Sequence, residues 1–217
     1  MRLRTPVLPE ASGDRALGHE QEADYRILIA GDSAGAGVDV ETQDQALLGL
    51  LHSRLAPTHS VYLELNAMTG LTSGEVLDRM RAVTQTTFDI VIYSVGVNDV
   101  TGFTSETKWR AHIRDLAGVF QAQNADVQVI FSGLPPMYAF TALPQPLRTV
   151  MGLRAKHLNA LLGKEVSTMQ HCAHIDAGFL VEASMLATDG FHQGPKAYQF
   201  WASTLADHLS QHCFVKS

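Results

Sequence analysis

The chain has 217 residues, of which 46% are hydrophobic and 18% are charged, and this length is typical of one domain that buries its own core. Its 16 lysines and arginines against 22 aspartates and glutamates give a formal net charge of −6. This dispersed acidic charge argues against a nucleic-acid-binding protein, which needs a basic face. No apolar run reaches the ~18 residues of a membrane span. The two cysteines are too few for a disulfide-rich fold.

The first 24 residues form a polar segment with two prolines and no helical or strand periodicity. This segment lacks the apolar stretch of a secretory signal. We therefore predict a loose N-terminal arm over residues 1–24, followed by a single domain over residues 25–217. A cytoplasmic location is the default expectation, and an exported or membrane-tethered precursor stays open as an alternative.

Five short apolar runs rich in β-branched residues predict buried strands. They span residues 27–30, 61–65, 90–95, 127–131 and 173–176. Apolar residues on both faces are typical of parallel strands that are covered by helices on each side. Three other segments carry apolar residues at helical spacing. These residues are Trp109, Ile113, Leu116, Ala117 and Phe120; then Leu147, Val150, Met151, Leu158, Leu161 and Leu162; then Tyr198, Trp201, Ala202, Leu205 and Leu209. The alternation predicts a doubly wound α/β sandwich with a five-stranded parallel sheet.

Four short polar motifs stand where ligands bind in such a fold, outside the carboxyl ends of the strands. The first three follow predicted strands, and the last precedes the final predicted helix. They are Gly31-Asp32-Ser33, the segment 66–72 that contains Gly70, Gly96-Val97-Asn98-Asp99 and Asp189-Gly190-Phe191-His192.

The motifs contain the residue types of an activated serine nucleophile. Ser33 needs a base to become nucleophilic, and the imidazole of His192 is suited to that role near neutral pH. Asp189, three residues before His192, is spaced to accept a hydrogen bond from the other ring nitrogen and to orient the ring. The backbone N–H groups of Ser33 and Gly70 and the side-chain amide of Asn98 are candidate donors to a tetrahedral oxyanion.

In these four motifs the chain resembles the GDSL/SGNH hydrolases, a family of esterases and acylhydrolases. The resemblance implies a three-layer flavodoxin-like fold and a catalytic triad of Ser33, His192 and Asp189. It also implies an oxyanion hole formed by Ser33, Gly70 and Asn98, and chemistry without a cofactor.

The resemblance covers residues 26–210 and includes three departures from the common family pattern. Ala34 stands where a leucine is common, and Gln193 stands where a proline is common. The second motif is one residue shorter than its frequent form. For that reason Gly74 remains an alternative to Gly70 as the oxyanion donor of this motif.

Each motif taken alone also fits a structural role. Ser33 is suited to capping the helix after the first strand, and Asn98 to a turn with a left-handed backbone. Asp189 and His192 fit a surface turn and a helix N-cap. Asp32 is expected to brace its turn and is given no chemical role. These structural interpretations give no reason for the motifs to converge at one edge of the sheet.

The sequence predicts neither a cofactor nor a metal site. A dinucleotide-binding fingerprint that starts at Gly35 has Val40 where its third glycine should stand. The ten histidines show no zinc-site spacing, so we expect surface or packing roles for them. Cys172 and Cys213 are expected to be free thiols if the protein is cytosolic.

A proline-rich segment over residues 133–146 follows the fourth predicted strand and is expected on the same side as the nucleophile. Its apolar side chains either wall an acyl pocket or pack over the core. These candidates are Met137, Tyr138, Phe140 and Leu143.

We therefore expect a serine esterase that hydrolyses small acyl esters through an acyl-enzyme on Ser33. The first alternative is a carbohydrate O-deacetylase, followed by a lysophospholipase or a thioesterase. Outside the enzymes, the alternative is a ligand-binding module on the same fold. The expected partner is a small ester substrate, not a nucleic acid, and a monomer is favoured.

Overall fold

A computed structural model describes residues 8–83, 87–176 and 183–214, and its centre is one sheet. Within these ranges the sheet has six strands. They are β1 (Ala16–Leu17), β2 (Tyr25–Gly31), β3 (Val61–Ala67), β4 (Ile90–Ser94), β5 (Gln128–Ser132) and β6 (Cys172–Ile175). Their order across the sheet is β1-β3-β2-β4-β5-β6, in which β1 is antiparallel to β3 and all other pairs are parallel.

Helices flank this sheet. In the described ranges they are α1 (Ser33–Ala36), α2 (Leu47–Leu55), α3 (Ser73–Arg81), α4 (Val97–Thr101), α5 (Glu106–Gln121), α6 (Leu147–Val166) and α7 (Pro195–His212). Short 3-10 helices lie at Glu20–Glu22, Gln43–Gln45, Met137–Ala139 and Ala183–Met185. Helix α2 packs against α7, while α5 packs against both α3 and α6. No helix in the described part of the chain is long and apolar enough to cross a membrane.

The predicted helical stripes form the buried faces of their helices. All five predicted residues in α5 and all five in α7 are buried. In α6, Met151, Leu158 and Leu162 are buried, whereas the side chain of Val150 is 47% exposed. Val150 lies in the first turn of α6. Periodicity therefore predicted the packing faces well within the helices and less well near a helix end.

The strand register brings the polar motifs to one edge of the sheet. Gly31 at the end of β2 pairs with Ala67 on β3 and with Ser94 on β4. The neighbouring pair Tyr93 and Phe131 aligns β4 with β5. Since parallel strands end together, the residues that follow each of them share this edge, as the α/β topology predicts.

The structure corrects two predictions made for the N-terminal part of the chain. The sheet has a sixth strand, β1, which pairs with the edge of β3 through Leu17 and Leu63. Residues 8–24 are therefore not a loose arm, because they contain β1 and a 3-10 helix. A strand of two residues is too short to show an alternating pattern, and it forms because β3 offers a free edge.

Candidate active site

Ser33 is the first residue of α1, directly beyond the end of β2. The helix is capped by Asp32, whose side chain accepts a hydrogen bond from the N–H of Ala34 at 3.1 Å. Because Asp32 performs the capping, the hydroxyl of Ser33 is not needed for it. The structure thus gives Asp32 the bracing role predicted for it.

Asp189 and His192 form a hydrogen-bonded pair before α7. The Nδ1 atom of His192 lies 2.6 Å from Oδ2 of Asp189. The other carboxylate oxygen accepts the backbone N–H groups of Phe191 and His192 at 2.8 and 2.9 Å. One carboxylate therefore holds both the turn and the ring, which leaves Nε2 as the nitrogen that can accept a proton from a hydroxyl.

The hydrogen bonds at Asp189 also determine its charge. Burial by itself raises the pKa of this carboxyl, but bonds from the backbone and ring of His192 and from the backbone of Phe191 outweigh that effect. The net result is a pKa below the usual range of an aspartate. Asp189 is therefore ionised at neutral pH and can stabilise a positive charge on the ring.

The segments around Ser33 and His192 meet at the carboxyl edge of the sheet. Asp32 and Ala34, which flank Ser33, line the same small cavity of about 20 Å³ as Gln193, which follows His192. Asp39, shortly after α1, has its pKa raised by burial, and the charges of Asp189 and His192 also act on this group. Within the described residues, the hydroxyl of Ser33 makes no hydrogen bond to His192.

Asn98 lies in the first turn of α4 with its side-chain amide directed toward the other two motifs. Its Nδ2 atom donates to the carbonyl of Leu71 at 3.0 Å and lies 3.4 Å from Oδ2 of Asp32. The first bond orients the amide, while the second contact is long and weak. One N–H of the amide is thus available to a better acceptor, such as an oxyanion.

Gly70 lies in an exposed turn between β3 and α3, and its backbone φ is +88°. A Cβ atom at this position would meet no atom within 4 Å, so the left-handed backbone explains the glycine, not close approach of another group. Gly74 lies inside α3, where a Cβ atom would meet the ring of His112 at 2.9 Å. Gly74 is the second residue of α3, where a backbone N–H has no partner within the helix, so the backbone donors do not separate Gly70 from Gly74.

Residues of the predicted arm hold the turn that contains Gly70. The carboxylate of Glu10 accepts the N–H of Thr69 at 2.6 Å. The guanidinium of Arg15 donates to the carbonyl of Ala67 at 2.7 Å. No local motif in the sequence could have predicted these contacts, because each joins residues more than fifty positions apart.

Asp32 is a buried carboxyl at this site with an altered ionisation. Burial is the main cause that raises its pKa to about 7, and the nearby charge of Asp99 adds to the effect. The N–H of Ala34 and the amide of Asn98 act in the opposite direction. Near neutral pH, protonated and ionised forms of Asp32 therefore coexist beside the candidate nucleophile.

A family comparison determines the class of this protein. The sequence model of the GDSL-like lipase/acylhydrolase family matches residues 29–200. The chain belongs to this family. It is a carboxylic ester hydrolase, an esterase. No curated protein sequence matches this chain.

Solved structures share the fold of the esterase at low sequence identity. A carbohydrate esterase family 3 protein from Talaromyces cellulolyticus has a TM-score of 0.69 and 18% identity, covering 89% of this chain and 100% of its own. Est24, a carbohydrate acetylesterase from Sinorhizobium meliloti, has a TM-score of 0.66 and 16% identity, covering 87% and 99%. The psychrotrophic esterase EstA from Pseudoalteromonas sp. has a TM-score of 0.66 and 21% identity, covering 87% and 98%.

The esterase contains a second group of serine, aspartate and histidine that the sequence analysis did not predict. The hydroxyl of Ser73 lies 2.7 Å from Oδ1 of Asp99 and 2.9 Å from Nδ1 of His112. The N–H of Ser73 donates to the other oxygen of Asp99 at 2.8 Å. Because Asp99 follows Asn98 in the chain, this group joins the start of α3 to the helix that bears the candidate oxyanion donor.

The acyl-pocket candidates do not share one cavity. Leu143 lines an apolar cavity of about 260 Å³, while the 58% exposed Tyr138 lines a different cavity of about 330 Å³. Met137 and Phe140 are buried in the core. Phe140 reaches the apolar cavity only indirectly, by packing its ring against that of Phe191 at 4.9 Å. Of the four candidates, Met137, Phe140 and Leu143 are therefore buried in the core, Leu143 also lines the apolar cavity, and the role of that cavity as an acyl pocket stays a prediction.

The cysteines and histidines form no metal site in the described residues. Cys172 and Cys213 are free and half-buried. Burial raises the pKa of both thiols to about 11, so both stay protonated at neutral pH. Neither thiol is therefore suited to act as a nucleophile.

Proposed function

We propose that the esterase hydrolyses small acyl esters through a covalent intermediate on Ser33. The hydroxyl oxygen of Ser33 attacks the ester carbonyl while Nε2 of His192 takes the hydroxyl proton. The imidazolium then gives this proton to the alcohol oxygen as the ester C–O bond breaks. In the second half, His192 takes a proton from water, the hydroxide attacks the acyl carbon, and the acid leaves as Ser33 regains its proton.

The hydrogen bond between Asp189 and His192 is the observation that carries this proposal. It presents Nε2 for proton transfer and places an ionised carboxylate where positive charge forms on the ring. The small cavity shared by Asp32, Ala34 and Gln193 supports a short path between His192 and Ser33. Bonds between a nucleophile and its base are often long before substrate binds.

Three donors are proposed to stabilise the oxyanion: the N–H of Ser33, the N–H of Gly70 and the side-chain amide of Asn98. The Ser33 N–H belongs to the first turn of α1, where backbone donors have no partner within the helix. For Asn98, the bond to Leu71 keeps the amide in place while its other N–H exchanges a weak contact for the oxyanion.

A covalent label tests the nucleophile directly. The esterase is incubated with a p-nitrophenyl alkylphosphonate, and the labelled peptide is identified by mass spectrometry. We expect one label per chain on Ser33, together with loss of p-nitrophenyl acetate hydrolysis between pH 6 and 9. A label on Ser73, or full activity after labelling of Ser33, would contradict the assignment.

A carbohydrate O-deacetylase is the second candidate function. It is favoured by the fold that the esterase shares with a carbohydrate esterase family 3 protein and with a carbohydrate acetylesterase. Both candidates use the same chemistry at Ser33, so only the substrate separates them. Comparing kcat/KM on p-nitrophenyl esters and on acetylated xylose decides between them: a clear preference for the sugar acetate would favour the deacetylase.

A further inference from the structure

The apolar cavity that includes Leu143 lies beside the proposed catalytic residues. It has a volume of about 260 Å³, close to the lower limit of ~300 Å³ for typical small-molecule sites. Apart from Thr101, its lining side chains are apolar. They are Phe103, Ala142, Leu143, Leu147, Met151 and Phe191.

Two residues that line this cavity are close in the chain to proposed catalytic residues. Phe191 precedes His192 in the chain, and its ring contacts the imidazole with a centroid distance of 5.2 Å. Thr101 ends α4, three residues after Asn98, so both lie on neighbouring turns of one short helix. A group that enters the cavity therefore lies next to the proposed base and to the helix of a proposed oxyanion donor.

Phe103 is held at this cavity in a conformation that costs energy. Its side chain is 61% exposed, and its backbone φ of +55° lies in the left-handed region that bulky residues rarely adopt. The guanidinium of Arg154 lies 5.3 Å from the centre of its ring. Arg154 also donates to the carbonyls of Val100 at 3.2 Å and of Thr104, on either side of Phe103. An exposed aromatic ring in contact with an arginine that also binds the backbone on both sides of it is typical of a functional surface.

We propose that this cavity binds the alkyl chain of the ester substrate, and that the esterase therefore prefers medium-chain alkyl esters to acetates of carbohydrates. This inference rests on the proposed function, because it places the reacting ester between His192 and Asn98. A sugar would bring hydroxyl groups to walls that offer one polar side chain, that of Thr101. An alkyl chain leaves water for apolar contacts, at a gain of about fourfold in kcat/KM per methylene.

A cavity-filling substitution with a matched control tests the site. Leu147 lines the cavity from the start of α6, whereas Leu153 on the same helix is 66% exposed and lies outside it. Leu147→Trp is expected to lower the ratio of kcat/KM for p-nitrophenyl hexanoate over p-nitrophenyl acetate by about tenfold or more. Leu153→Trp is expected to leave this ratio unchanged. In folded Leu147→Trp, a chain-length preference that is unchanged both in this acyl series and among acetates of different alcohol chain length overturns the proposal.

A second pair of variants keeps the test informative if Leu147→Trp fails to fold. Phe103→Ala removes an exposed ring and is expected to lower the same ratio severalfold, because the chain loses an apolar contact. Phe200→Ala removes an aromatic side chain of α7 that is 47% exposed and serves as its control. Phe103→Ala and Phe200→Ala that show equal chain-length preferences in both the acyl series and the alcohol series overturn the proposal.

A second substrate series shows whether the acyl chain or the alcohol chain of the ester enters the cavity. The p-nitrophenyl alkanoates vary the acyl chain, and the alkyl acetates, from ethyl to hexyl, vary the alcohol chain. A changed chain-length preference in either series supports the site and assigns it to that side, and no change in both overturns it. Ser33→Ala is measured in parallel: if it retains activity, the proposed function fails, whatever the chain-length preferences show.

Discussion

The esterase contains two groups of the same residue types, and their different connections give them different chemistry. In the first, Asp189 binds Nδ1 of His192, which leaves Nε2 of the imidazole as the nitrogen proposed to take the proton of Ser33 at the start of α1. In the second, the hydroxyl of Ser73 lies between Asp99 and His112. The residue types alone would not distinguish a catalytic site from a structural one.

The central residue decides what each group can do. An imidazole between a carboxylate and a hydroxyl can take the hydroxyl proton, which activates the oxygen. In the second group, the hydroxyl of Ser73 donates its single proton to Asp99, so it can only accept a hydrogen bond from Nδ1 of His112. Ser73 and Asp99 are both fully buried, which also excludes a substrate from them. We therefore assign the second group to holding α3, α4 and α5 together.

The largest expected effect separates the two serines. Ser33→Ala is expected to lower kcat for p-nitrophenyl acetate by about 10⁴–10⁶, as in other serine triads, with no loss of folding. Ser73→Ala is expected to keep turnover within about tenfold but to lower the melting temperature, because Asp99 loses a buried donor at a cost of about 1–3 kcal/mol. The reverse pattern of activities would make Ser73 the nucleophile and contradict the comparison.

An effect nearly as large as that of Ser33→Ala is expected at His192 but not at His112. His192→Ala removes the proposed base and should abolish nearly all turnover, since the hydroxyl of Ser33 then has no proton acceptor. His112→Ala removes only a donor to Ser73 and should reduce stability more than kcat. Stopped assays at saturating substrate, combined with thermal unfolding of both variants, measure the two quantities. Substantial activity in His192→Ala would show that another group acts as the base.

A smaller effect is expected at Asn98 and Asp99, neighbouring residues that belong to the first and the second group. Asn98→Ala is expected to lower kcat by about 10²–10³ with little change in KM, because the amide acts mainly after the oxyanion forms. Asp99→Asn, at the next position, retains an oxygen for Ser73 but replaces the other by an amide group. We expect it to lower the melting temperature with a smaller loss of kcat. A change confined to KM in Asn98→Ala would instead indicate ground-state binding.

The smallest expected effect is the change that Asp32→Asn makes to the pH dependence of stability. Because the pKa of Asp32 is raised to about 7 in the folded chain, it keeps its proton there at pH values where the unfolded chain has lost it. The stability that this protonation contributes below pH ~4 is lost as the pH rises to about 7. Asp32→Asn does not titrate, so its melting temperature relative to the wild type should rise over that interval and then level off.

The exposed Asp126 supplies a control for this prediction. Asp126→Asn should shift the melting temperature little and by a similar amount at each pH. A constant difference between Asp32→Asn and the wild type from pH 4 to 8 would show that Asp32 does not titrate in the folded chain over that interval.

The sequence by itself determined the features that depend on neighbouring residues. The strands β2 to β6 were predicted because each contains a short, mostly apolar run, and the buried residues of α5 and α7 because helical spacing is local. The pair Asp189 and His192 was predictable for the same reason, since one turn separates the two residues. Their mutual hydrogen bond is the part of the site with the most direct local determinant.

Only the tertiary structure decided the features that depend on residues far apart in the chain. Strand β1 has two residues and owes its existence to the edge of β3. The hydrogen bond between Ser73 and Asp99 joins residues 26 positions apart, and no local sequence pattern near either residue predicts it. Met137, Phe140 and Leu143 are all apolar and buried, yet only Leu143 of the three also lines the apolar cavity. A local pattern shows that a side chain will leave water, but the packing of distant segments determines whether core or cavity receives it.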